Sequence, residues 1–208
     1  MADNPVSSRS GAIAIDTETG VMSRWFIVNF MWVAVIFASY QQGWFHYIFA
    51  KDETYISHFL ALAGLIMVLI STRKAFVISR LLKNPLQATE EYKKRVADRS
   101  RQKRDETKGL LANELMGYIN SIEFIGTMAL TIGVVGTVIG LIIGFQSIDP
   151  SALANIENVA PAVSKILTGL SIAFHTTLVG SFVYIWLRTN HYMLVQASTN
   201  LYNKILGG

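Results

Sequence analysis

Three threonines and one histidine are the residues of this chain whose types and surroundings could serve chemistry. Thr137, Thr176, Thr177 and His175 lie within stretches that otherwise consist of apolar and small residues. A threonine hydroxyl in such a helix either bonds back to a carbonyl one turn earlier or lines a polar passage. Because these three hydroxyls all lie on the two most glycine-rich stretches, the sequence favours the polar passage.

His175 is an ionisable residue deep within an apolar stretch, and such a residue is a functional candidate by default. At about 100° per residue, His175 points about 160° away from Thr177, which argues against a joint role with the threonines. We favour a neutral histidine bound to a neighbouring helix over the alternative of a proton relay. The chain has no cysteine and four scattered histidines without a carboxylate one turn later, so we predict no metal site and no cofactor.

Small residues accompany the threonines at helical spacing, and they form one stripe on each of two stretches. The stripe that contains Thr137 consists of Gly126, Gly133, Gly136, Gly140 and Gly144, and the second stripe consists of Gly169, Ala173 and Gly180. Small residues at this spacing let helix backbones approach closely in lipid. The two stripes therefore predict two helices in direct contact.

Four long apolar stretches must position these residues. The chain is 51% apolar and 15% charged, and no charged residue occurs within 25–50, 54–72, 124–145 and 166–187. A bilayer core of about 30 Å requires roughly 20 apolar residues in a helix, so each stretch is long enough to span it. We predict an all-α membrane protein with four transmembrane helices. An enzyme is not expected, because the sequence offers no nucleophile–base pair or metal constellation.

The positive charge is concentrated in one segment. Twelve of the 18 lysines and arginines lie between Arg73 and Lys108, and the formal net charge is +4. Such a segment indicates a cytoplasmic loop, with both termini cytoplasmic and two short acidic loops outside. We interpret the segment as a charged helix that runs into the third span and meets anionic lipid headgroups, with no nucleic-acid partner.

This topology predicts five segments along the chain. Gln41-Gln42-Gly43 interrupts the first apolar stretch and leaves open whether residues 41–50 belong to the first helix. The predicted segments are a cytoplasmic tail (1–24), two spans with a short outer loop (25–78), a basic cytoplasmic helix (79–120), the pair of small-residue spans (121–190) and a cytoplasmic C-terminal tail (191–208).

None of the four apolar stretches contains aspartate or glutamate. Glu123 and Asp149 only flank the third stretch. A channel driven by an ion normally needs a carboxylate that binds and releases the ion. The chain is therefore either passive or depends on another polypeptide for the acid.

Two motifs in the last two spans carry a family resemblance. The third span contains Gly136-Thr137-Val138-Ile139-Gly140 followed by a small-residue run to Phe145, and the fourth span has Gly169, Ala173, Thr177 and Gly180 in a G-x-x-x-A-x-x-x-T-x-x-G pattern. In this order, around a short acidic loop and after a basic loop, the motifs resemble the MotA/TolQ/ExbB proton-channel family over residues 120–190.

The resemblance implies a mechanism. Members form a homopentameric ring in the bacterial inner membrane around a dimer of a single-span partner, of the MotB/TolR/ExbD type, which carries the ion-binding aspartate. Thr137 and Thr177 match the positions that face this aspartate. Flow of H⁺ or Na⁺ down the proton or sodium motive force then turns the ring, so the chain resembles the stator subunit of a molecular motor.

Two departures from the family pattern affect this interpretation. The TolQ/ExbB branch has a glutamate where this chain has Ile172, and the large cytoplasmic domain of flagellar stators is missing between the second and third spans. The adjacent Thr176 and Thr177 resemble sodium-driven members, although the wider family is mostly proton-driven. A self-contained small channel or transporter and a non-conducting membrane scaffold remain the alternatives.

Overall fold

The structure, a computed structural model, describes residues 18–52, 54–83, 90, 94, 101–146, 148 and 156–207. All regular structure in this part of the chain is helical. The five helices are α1 (Glu18–Gln41), α2 (Trp44–Lys51), α3 (Ile56–Lys83), α4 (Arg101–Gln146) and α5 (Ile156–Gly207). The expected N-terminal tail up to residue 17, most of the basic segment before residue 101, and residues 149–155 lie outside the described residues.

Four of these helices are long and apolar enough to cross a membrane, which confirms the predicted number of spans. The candidate spans are Gly20–Gln41, Ile56–Leu82, Ile119–Gln146 and Val159–Ile205. The first apolar stretch contains two helices, because Gly43 adopts a left-handed φ of 75° between α1 and α2. A residue without Cβ takes this conformation without steric cost, so the chain can turn there.

Helices α4 and α5 are much longer than a bilayer crossing requires. They have 46 and 52 residues, which at 1.5 Å per residue correspond to about 69 and 78 Å. Helix α4 begins in the basic segment and runs without a break into the third span. Helix α5 continues past residue 191, so the C-terminal segment up to Gly207 is the end of this helix.

The chain divides into two compact units, each with its own buried residues. One unit comprises the described parts of residues 1–30, 71–119 and 192–208. Its buried apolar side chains recur at spacings of three and four residues on α3 and α5, as expected for helix faces turned inward: Ala75, Ile78, Leu82, Leu194, Ala197, Leu201 and Ile205.

The second unit, residues 31–70 and 120–191, is organised around α5. Trp32 of α1 packs edge-to-face on Phe182 of α5 with ring centroids 4.9 Å apart, and stacks on Trp186 at 6.3 Å. Gly64 of α3 lies against Val183 of α5, so close that a Cβ at this glycine would be 3.0 Å from a valine methyl. Helix α5 therefore contacts both α1 and α3 in this unit.

The small-residue stripes form the contact between α4 and α5, which run antiparallel. A Cβ at Gly140 would lie 2.6 Å from the amide nitrogen of Ala173, and one at Gly180 would lie 2.7 Å from the carbonyl oxygen of Ala129. A Cβ at Gly169 would lie 2.6 Å from the carbonyl oxygen of Gly140. The backbones are thus in direct contact, which only residues without a side chain permit.

The turn before α3 is held by a buried carboxylate. Asp52, with 4% of its surface exposed, accepts hydrogen bonds from the backbone N–H groups of Thr54 (3.0 Å) and Ser57 (2.7 Å) and from the Thr54 hydroxyl (2.5 Å). Tyr55 in this turn has a φ of 57°, a left-handed conformation that costs energy for a residue with Cβ. Burial raises the pKa of Asp52, but the hydrogen bonds outweigh it and leave the pKa below its ordinary value of 3.8.

We predict that Gly140→Ala lowers the free energy of unfolding by ~2 kcal/mol, because the new methyl group forces α4 and α5 apart. Thermal unfolding of the purified protein in detergent measures this effect. Gly117→Ala is the matched control, since a Cβ there meets nothing within 4 Å and alanine favours the helix. Equal stability of the two variants would contradict the described contact.

We predict that Asp52→Asn destabilises the protein at neutral pH by ~1 kcal/mol, because a charged helix cap is lost. A carboxyl whose pKa is lowered by folding stabilises the protein above its unfolded pKa, and this stabilisation disappears as the pH falls through the folded value. The difference in melting temperature between the wild type and Asp52→Asn should therefore persist down to pH 3.8 and shrink below it. A difference that stays constant through that acidic range would show that the charge has no role.

Candidate functional site

Thr137 and Thr177 are brought together across the contact between α4 and α5. Their hydroxyls are hydrogen-bonded to each other. The Thr137 hydroxyl also lies 3.2 Å from the carbonyl oxygens of Gly133 and of Ala173, and the Thr177 hydroxyl lies 3.3 Å from that of Gly133. Both threonines are half-buried. We call Thr137 and Thr177 the threonine pair.

The two hydroxyls of the threonine pair have fewer protons to donate than they have contacts within hydrogen-bonding distance. Each hydroxyl has one proton to donate, whereas the four oxygens make four contacts within hydrogen-bonding distance. At most two of these contacts can be hydrogen bonds at one time, so either hydroxyl can redirect its proton without leaving the cluster. The cluster can therefore donate a hydrogen bond to an anion or accept one from an acid.

Small residues next to the threonine pair let each hydroxyl reach the backbone of the opposite helix. Gly133 and Ala173 have small side chains, so each hydroxyl can reach a carbonyl oxygen on the opposite helix. A Cβ at Gly133 would lie 3.4 Å from the Cα of Thr177. The small-residue stripes thus do more than pack, because they let the two hydroxyls meet.

Thr176 is not part of the threonine pair. Its side chain is fully buried and its hydroxyl donates to the carbonyl oxygen of Ala173, three residues earlier, at 3.0 Å. It lies against Gly136, where a Cβ would be 2.7 Å from both Cβ and Oγ1 of Thr176. The structure therefore places Thr176 in the helix contact rather than in the hydroxyl cluster.

His175 lies on a different side of α5 from the threonine pair. Its ring packs edge-to-face on Tyr47 of α2, with centroids 5.3 Å apart. Such aromatic pairs contribute to packing beyond their buried area. The contact with a neighbouring helix agrees with the structural interpretation of His175 and brings it no closer to Thr137 or Thr177.

Glu123 lies inside the third candidate span, although its position next to the apolar stretch 124–145 predicted that it would only flank the span. The span Ile119–Gln146 includes Glu123, so the expectation that no span contains an acid is wrong. The Glu123 carboxylate pairs with Arg188 of α5, and its second oxygen lies 3.3 Å from Nε2 of His191. Their side chains are exposed by 39% for Glu123, 51% for Arg188 and 12% for His191. We call these three residues the charged cluster.

The register of the helix pair explains why this cluster forms. Glu123 lies 14 residues before Thr137, and Arg188 lies 11 residues after Thr177. In an antiparallel pair of helices that meet at the threonines, the two positions lie in the same direction from the threonines, at about 21 Å along α4 and about 16 Å along α5. An antiparallel alignment of the two motifs would thus have revealed the cluster from the sequence. Among the described residues, no group of three or more potential ligands could hold a metal ion.

Comparison with known proteins agrees with the geometry of the two long helices. The model of the MotA/TolQ/ExbB proton channel family matches residues 73–205, which include the threonine pair and the charged cluster. No protein with a curated description and no solved structure matches the chain. Because the match covers more than half of the sequence, this chain belongs to the MotA/TolQ/ExbB proton channel family.

Proposed function

We propose that this chain is the channel-forming subunit of an ion-driven motor in the bacterial inner membrane. In this proposal five copies surround a dimer of a single-span MotB/TolR/ExbD-like partner, and both termini face the cytoplasm. The threonine pair is the observation that carries the proposal. It is a cluster of two hydroxyls and two carbonyl oxygens inside the helix pair that the family match covers.

The threonine pair suits a partner whose carboxylate changes its charge. A hydroxyl donates a hydrogen bond to an ionised carboxylate and accepts one from a protonated carboxyl group. The pair could therefore stabilise an aspartate of the partner in both states. One charge that crosses a potential of 100 mV releases about 2.3 kcal/mol, which is available for each step of the ring around the partner.

Glu123 is poorly placed to act in place of the partner's aspartate. Among the described residues of the four spans, Glu123 is the only carboxylate, and it is already paired with Arg188. The offset of 14 residues along α4 separates it from Thr137 by about 21 Å. The ion carrier therefore belongs to another polypeptide, and protons are the proposed ion, with sodium as the alternative.

We predict that Thr137→Val or Thr177→Val abolishes partner-dependent ion flux while the oligomer stays intact, because valine keeps the shape and removes the hydroxyl. The measurement is flux into liposomes that contain the native complex, with a proton-sensitive or a sodium-sensitive dye. Thr131→Val is the matched control on α4, since its exposed hydroxyl bonds only to the Thr127 carbonyl oxygen one turn earlier. Normal flux in both variants of the pair would overturn the assigned path.

Thr176→Val separates packing from conduction within the same short segment. The Thr176 hydroxyl bonds to the Ala173 carbonyl oxygen of its own helix and the side chain lies against Gly136, so we expect the variant to conduct like the wild type after any loss of stability is taken into account. The same liposome assay measures it. A complete loss of flux in an assembled Thr176→Val complex would instead assign Thr176 to the ion path.

Purification of the chain from its native membrane, followed by mass spectrometry, tests the need for a partner. We expect a single-span protein with an aspartate near the start of its span, and we expect no flux from the purified chain alone. Flux without a partner would favour a self-contained channel. An assembly that conducts neither alone nor with its co-purified proteins would favour a scaffold.

A further inference from the structure

We propose that Glu123, together with Arg188 and His191, is a second cation station of the ion path, between the threonine pair and the cytoplasm. This inference rests on the proposed function, since it takes the path through the threonine pair as given. It assigns a conducting role to a charged cluster that lies well away from the partner's expected aspartate.

A polar face of α5 runs from the threonine pair to the charged cluster. With Thr177 taken as the origin, the residues Ser181, Tyr184, Arg188 and His191 lie on one face of the helix, within an arc of about 80°. The rise from Thr177 to Arg188 is about 16 Å. No other face of α5 between these two levels carries such a series of polar side chains.

At the level of Tyr184, α4 presents a glycine to α5. A Cβ at Gly126 would lie 3.3 Å from Cβ of Leu187 and 3.8 Å from Cδ2 of the Tyr184 ring, so the glycine packs on Leu187 and adjoins the tyrosine. Ser181 and Tyr184 are both half-buried, so they are neither sealed in the helix contact nor fully exposed. One turn before Gly126, the route reaches Glu123.

The composition of the charged cluster suits the transient binding of a cation. The exposed fraction of the Glu123 side chain is 39%, so its carboxylate is accessible while it is paired. A lone carboxylate in a membrane would hold a cation tightly, and Arg188 offsets that attraction. A hydronium or an alkali cation can bind here only by displacing the Arg188 guanidinium from the Glu123 carboxylate, so it is held transiently and no covalent bond is made or broken.

We test the station with Glu123→Gln in the native complex, measured as flux per assembled complex in liposomes. We expect flux to fall about tenfold or more, because the variant removes the carboxylate and leaves the Arg188 cation unpaired in the path. Glu123→Asp keeps the charge and should retain most of the flux. Glu90→Gln is the matched control, since it makes the same chemical change at an exposed residue outside the route.

The double variant Glu123→Gln/Arg188→Gln distinguishes a cation station from a merely structural ion pair. If Glu123 binds the cation, flux stays below the wild type but above Glu123→Gln, because the repulsive arginine charge is gone and the attractive carboxylate has not returned. Full recovery of wild-type flux in the double variant would overturn the proposal. If Glu123→Gln does not assemble, the double variant can still be compared with the wild type, because the double variant leaves no unpaired charge.

The threonine variants keep this inference separate from the proposed function. If Thr137→Val abolishes flux while Glu123→Gln conducts normally, the station is wrong and the proposed function stands. If both Thr137→Val and Thr177→Val conduct normally, the assigned path fails whatever Glu123→Gln does. Loss of flux in Thr137→Val, Thr177→Val and Glu123→Gln, with intermediate flux in the double variant, supports both.

Discussion

The direct contact between the backbones of α4 and α5 is the constraint on which the rest of this structure depends. Lipid offers no hydrophobic force that would drive helices together, so close packing must hold them. Gly140 and Gly169 provide that packing by having no side chain. The same closeness lets the hydroxyls of Thr137 and Thr177 meet, so one set of glycines both joins the helices and builds the candidate site.

The membrane also limits where charge can lie. An unpaired charge in this environment is costly, and the single carboxylate in the described spans is paired with an arginine and lies beside a histidine. The threonine pair by contrast is polar and uncharged. The helix pair thus keeps an uncharged hydrogen-bonding site apart from a carboxylate and an arginine that compensate each other.

Much of the fold could be predicted from the sequence, because hydrophobic length and glycine spacing are local properties. They indicated four spans, the break near Gly43, and two helices in close contact. One other feature depends on more than local sequence. A helix can continue beyond the bilayer, as α5 does to Gly207, because charged and polar residues also form helices when packing supports them.

The sequence by itself determined which residues are candidates, since an intramembrane hydroxyl, histidine or glycine is unusual wherever it points. Only the tertiary structure decided their partners. It joined Thr137 to Thr177, placed Thr176 against Gly136, and paired Glu123 with Arg188. The physical reason is that contacts between helices depend on their register and separation, and these are set by side-chain packing along the whole helix pair.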